Sequence, residues 1–88
     1  MSIKSWISAK VFGELIMDLG SIQTSARSDK WRLFLSLRRR TDRPILAFEW
    51  KQINETHWMS IDADPATLER LEAMIHSARE QVNTMPQA

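Results

Sequence analysis

Trp31-Arg32-Leu33-Phe34-Leu35-Ser36-Leu37-Arg38 sets Trp31, Leu33, Leu35 and Leu37 on one parity and Arg32, Phe34, Ser36 and Arg38 on the other. Side chains alternate across a strand, so this stretch predicts a strand with one apolar face and one basic face. A polar turn, Arg39-Arg40-Thr41-Asp42-Arg43-Pro44, follows. The next segment again alternates, with Leu46, Phe48 and Trp50 on one side and Ile45, Ala47, Glu49 and Lys51 on the other. Pro44 suits the start of that strand, where a missing N–H is tolerated. A loop from Gln52 to Thr56, turning at Asn54, returns the chain into His57-Trp58-Met59-Ser60-Ile61-Asp62, the third strand of a meander.

Downstream, Asp64 is an N-cap whose carboxylate accepts from the free N–H groups of the first helical turn, and Pro65 fits the first helical position. Leu68, Leu71, Ile75, Ala78 and Val82 recur at spacings of three and four and form one apolar stripe. Asn83 and Pro86 end the helix, and residues 83–88 are expected to fray. Upstream, Val11 to Ile22 admits two readings. Val11, Gly13, Leu15, Met17 and Leu19 suit a strand, whereas Ile7, Val11, Leu15 and Leu19 suit a helix closed by Gly20. Glycine inside a helix costs about 1 kcal/mol relative to alanine, which favours the strand. Ser21 to Asp29 then reads as the polar connection of the first hairpin.

The expectation is an α+β fold: an antiparallel meander of three to four strands with one C-terminal amphipathic helix packed on one face. It forms a single domain over residues 1–88, with residues 1–10 as a flexible arm. A core of this size is marginal alone, so self-association as a homodimer is expected.

The formal charge is +1, but it is unevenly spread. Residues 27–51 carry eight basic against three acidic side chains, and residues 52–88 two against six. The basic middle points to an anionic partner, although a solvated basic face gives the same count. Arg32, Phe34 and Arg38 share a strand face beside Arg39, Arg40 and Arg43 in the turn, with Lys30 just upstream. Cations for phosphates together with aromatic faces for bases are what single-stranded nucleic acid requires. Trp58 has the parity opposite to Met59 and Ile61, so it projects away from the helix on the Phe34 side. It serves there as a stacking platform or an interface anchor.

Other chemistries lack their residues. There is no cysteine, hence no disulfide and no thiolate metal site. The two histidines and scattered carboxylates have no metal-ligand spacing, no serine stands in a nucleophile elbow, and the two glycines make no phosphate loop. The reading is therefore non-enzymatic and without cofactor or metal. No apolar run approaches the ~20 residues of a membrane span, and no secretory leader pattern opens the chain, so a cytoplasmic setting is expected.

This order resembles the single-stranded-DNA-binding superfamily of the transcriptional coactivator positive cofactor four and its small bacterial relatives. Pur-alpha repeats are similar in order. The resemblance runs from about Gly13 to Ala78. It lies in Trp31-Arg32 opening a strand, Asp42-Arg43-Pro44 at the turn, Trp50 closing the next strand, and Ser60-Ile61-Asp62 leading through Asp64-Pro65 into Leu68-Glu69-Arg70-Leu71. It implies a homodimer in which helices pack together and two sheets present a surface for unpaired strands. Lys30, Arg32, Phe34, Arg38 and Arg40 are the matching positions, with Trp50 either structural or near the groove. Where relatives carry a glycine and a lysine before the last strand, this chain has Thr56-His57-Trp58. The competing reading is a small protein-interaction module, an adaptor or a phage- or plasmid-type inhibitor, using the same arginine and aromatic surface.

Overall fold

The computed structural model describes residues 13–24 and 30–86. They form strands β1 (Glu14–Gln23), β2 (Arg32–Arg40), β3 (Arg43–Gln52) and β4 (Glu55–Asp62), followed by helix α1 (Pro65–Asn83). The strands pair antiparallel in sequence order, so the α+β meander read from the alternation is the fold, in its four-stranded form. The expected arm over residues 1–10 lies outside the described residues.

Both inner hairpins turn more tightly than the polar composition of their connections implies. Thr41 and Asp42 alone join β2 to β3, and Ile53 and Asn54 alone join β3 to β4. Arg39, Arg40, Arg43 and Pro44 are consequently strand residues. Thr41 and Asp42 both have positive φ, 51° and 63°, the signature of a type I′ turn, whose twist matches that of the flanking strands. That geometric match outweighs the preference of polar residues for longer loops.

β1 runs through Ser21, Ile22 and Gln23, which the sequence assigns to the connection. It is an edge strand with two register shifts, between Leu15 and Met17 and between Asp18 and Gly20. Each bulge inserts one residue and reverses parity. Leu15 therefore stands opposite Arg38, while Met17 stands opposite Leu37, although simple alternation puts both on one face. Gly13 and Gly20 supply positive φ, 81° and 109°, at and beside these irregularities.

Register defines two faces. Leu33, Leu35 and Leu37 align with Trp50, Phe48 and Leu46, and these with His57, Met59 and Ile61, making the apolar face. Asp64 caps α1 as expected: its carboxylate accepts from the Thr67 N–H at 3.1 Å and from the Thr67 hydroxyl at 2.6 Å. The hydroxyl bond, then the backbone bond, hold its carboxyl below the usual carboxylate value. At the other end the chain stays bonded past Asn83, since the Thr84 and Met85 N–H groups donate to the Gln81 and Val82 carbonyls.

α1 meets the apolar face beside Ile61, where Ala66, Thr67, Leu71 and Met74 line a shared cleft. The expected packing of the helix along one sheet face is realised only in part: among the described residues its stripe is covered at one end, because the helix leaves the sheet after its first turns. Leu68 and Leu71 are half-buried, whereas Ile75 and Val82 are 61% and 52% exposed. The buried apolar side chains among the described residues are Ile45, Leu46, Ala47 and Ala63. Ile45 and Ala47 belong to the face expected to be solvated. Ala47 sits between Ser36 and Ser60 with larger side chains in the rows on either side, and those neighbours shelter it.

The result is a thin body of 48 × 34 × 16 Å with a radius of gyration of 15.3 Å. A compact chain of this length is expected near 12 Å. Among the described residues, one sheet with a partly docked helix leaves much of its apolar surface without a second layer.

Candidate nucleic-acid interface

The face opposite the leucines is built in rows fixed by the β2–β3–β4 register. Arg32, Lys51 and Thr56 form the first row, and Phe34, Glu49 and Trp58 the second. Ser36, Ala47 and Ser60 come next, then Arg38, Ile45 and Asp62, and finally Arg40 with Arg43 at the turn. Arg32, Phe34, Arg38, Arg40, Arg43 and Trp58 are thus brought to one surface. Arg39 is not. It pairs with Pro44 and shares the parity of Leu37, so it belongs to the apolar face. Tightening of the hairpin moved Arg39 from a loop, where orientation is free, into a strand, where parity fixes it. Lys30 lies just before β2, in a turn.

Local contacts orient the cations. The Arg32 guanidinium donates to the Ser21 hydroxyl at 3.2 Å. Arg38 donates to the Ser36 hydroxyl at 3.0 Å and to the Gly13 carbonyl at 3.2 Å, which ties the start of β1 to β2. These partners are neutral, so both guanidinium groups keep their charge available to an anion. Arg40 and Arg43 form no ion pair or side-chain hydrogen bond among the described residues.

Phe34 is half-buried, with the Lys51 ammonium 4.8 Å from its ring centroid. Lys51 also pairs with Glu49 at 3.2 Å. The phenyl ring is therefore capped by a cation. Trp58 stands across Glu49 from Phe34 and is 38% exposed. Two of the three carboxylates on this face are engaged: Glu49 with Lys51, and Asp18, whose Oδ1 accepts from the Gly20 N–H at 2.9 Å. Lys51 is the residue that sequence reasoning missed as a site member. Its parity within β3 was visible, but its position beside Arg32 and over Phe34 needs the hairpin register.

On the apolar face Trp31, Trp50 and His57 form a triangle, with centroids 4.5 Å apart for the tryptophans and 5.8 Å from each to the imidazole. The Trp50 indole N–H donates to the Thr24 hydroxyl at 2.9 Å, and that hydroxyl donates to the Trp31 carbonyl at 3.3 Å. Trp50 is thereby structural: it staples the end of β1 to β2 and β3, away from the basic rows.

Among the described residues no helix is long and apolar enough to cross a membrane. No protein-family model, no curated protein and no solved structure matches the chain.

Proposed function

We propose that the protein binds single-stranded nucleic acid without catalysis and with little sequence preference, as a homodimer. The observation that carries this is the convergence of Arg32, Lys51, Arg38, Arg40 and Arg43 with Phe34 and Trp58 on one face of a regular sheet. Guanidinium and ammonium groups neutralise phosphates, which supplies affinity with no base preference. Aromatic rings accept any base on their faces, at about 1–3 kcal/mol per stacked base. Lys30, at the open end of the surface, adds charge beside the first row.

The homodimer reading rests on the opposite side of the molecule. A stripe with Ile75 and Val82 more than half exposed, continuous with uncovered Met59 and Met74, is what a second copy would cover. The helix-to-helix packing implied by the resemblance uses that stripe and leaves the basic faces outward. An absence of cysteine suits a reducing cytoplasm as the setting.

The test is a titration of a fluorescently labelled single-stranded oligonucleotide with micromolar protein, read by anisotropy over a range of salt. Binding that weakens steeply as salt rises is expected. A flat response ends the reading, and nuclease-insensitive capture of one protein at fixed ratio favours an interaction module in its place.

A further inference from the structure

We infer that Arg40 and Arg43 form a phosphate clamp that fixes one end of a strand lying lengthwise along the sheet, parallel to β2 and β3. This rests on the strand-binding reading above and adds a path and a length to it.

Three local features meet at the β2–β3 turn. Arg40 and Arg43 are register partners, so two like charges face each other directly across the hairpin. Neither guanidinium has a charged partner among the described residues. The turn that brings them together places Thr41 at φ 51°, a conformation β-branched side chains avoid, and Asp42 at φ 63°. The type I′ turn thus holds two unpaired guanidinium groups side by side, with the strain confined to Thr41, and such strained positions recur at ligand clamps.

Beside the pair opens a groove whose lining includes Arg40, Arg43, Ile45, Ser60, Ile61 and Asp62. Two forked guanidinium groups on one wall offer paired donors that match phosphate oxygens, and a serine hydroxyl lies within the same groove. Asp62, on the neighbouring strand β4, repels an anion, so the donors of the groove lie on its arginine side. Arg40 and Arg43 share the face of Arg38, so a phosphate held by them belongs to a chain that can continue over Arg38 toward the Phe34 row.

The direction of that chain follows from spacing. Arg32 and Arg40 are the outermost cations of one strand face, about 27 Å apart at ~3.4 Å per residue. A stacked strand advances about 3.4 Å per nucleotide, so a lengthwise path needs about eight nucleotides to touch both ends. A path across the four strands covers only about 14 Å at ~4.8 Å per strand, or about four nucleotides.

Arg39 provides the control, because it carries the same charge one residue away but belongs to the apolar face. The experiment compares wild type, Arg39→Gln and the double variant Arg40→Gln/Arg43→Gln, titrating oligothymidylates of two to twelve nucleotides over a range of salt. Circular dichroism checks that each variant is folded, and the single variants Arg40→Gln and Arg43→Gln back up the double. For wild type, affinity climbs to about eight nucleotides and then flattens. Loss of two phosphate contacts makes the slope of log K against log salt shallower by about 1.4, while Arg39→Gln leaves it unchanged. The double variant also loses the gain between about four and eight nucleotides. Equal effects of Arg39→Gln and the double variant, or a plateau at about four nucleotides, overturn the clamp and its lengthwise path. If wild type binds none of the oligonucleotides, strand binding itself fails.

Discussion

Ile75 on the helix stripe gives the sharpest test of what covers the apolar side. It is 61% exposed in the single chain. Full burial of an isoleucine side chain stabilises by about 1.5–3 kcal/mol, so the part still facing water is worth about 1–2 kcal/mol if a second copy covers it. Two-fold symmetry doubles that gain, to about 2–4 kcal/mol per dimer. Replacing Ile75 with aspartate removes it and sets two carboxylates at the interface, which weakens association by at least about thirtyfold. In the single chain the same change costs a few tenths of a kcal/mol of helix propensity and about 0.6–1.2 kcal/mol for the part of the side chain already buried. Sedimentation equilibrium reads the outcome directly: wild type is expected at twice the 10.3 kDa chain mass and Ile75→Asp at the chain mass, with helicity retained. Wild type remaining at the chain mass well above micromolar concentration refutes the reasoning, and so does an Ile75→Asp variant that still pairs.

Four further outcomes follow from named contacts. Gly13→Ala is expected to destabilise by at least about 1–3 kcal/mol in chemical denaturation, since its Cβ would meet the Arg39 carbonyl at positive φ; Gly20→Ala has open space and is expected to cost less. Thr41→Asn with Asp42→Gly gives the type I′ turn residues that tolerate left-handed backbone and raises the melting temperature. Phe34→Ala weakens oligonucleotide binding while costing about 1–2 kcal/mol of stability, below the about 3–5 kcal/mol of a fully interred phenylalanine. Asp64 has its folded pKa lowered from 3.8, so its cap is complete above that value and is lost as pH falls through the lowered one. Helicity of wild type should accordingly fall more steeply on acidification below about pH 4 than that of Asp64→Asn, whose cap cannot titrate.

Much of this surface was legible in the sequence because strand parity is a property of neighbours one and two residues apart. Alternation alone puts Arg32, Phe34 and Arg38 on one face and Trp58 on the same side, and the register agrees. Asp64 and Pro65 likewise mark the helix start through bonds that span three residues. Arg39 was misread because its orientation depends on how many residues the hairpin spends in its turn. A polar composition does not distinguish a loop of several residues from two residues in left-handed conformation.

The amino-acid order by itself determined the elements: three alternating strands, a capped helix with one apolar stripe, and a basic middle. Pairing alone decided the rest. The bulges that turn Leu15 and Met17 to opposite sides, the lysine resting on Phe34, and the two arginines facing each other across Thr41 and Asp42 all join residues on different strands. The physical reason is range. Backbone preference and side-chain alternation act over a few residues, whereas register and cover are set by what lies across a hydrogen-bonded ladder. The half-covered stripe of the helix belongs to that second kind, since among the described residues only its first turns meet the sheet.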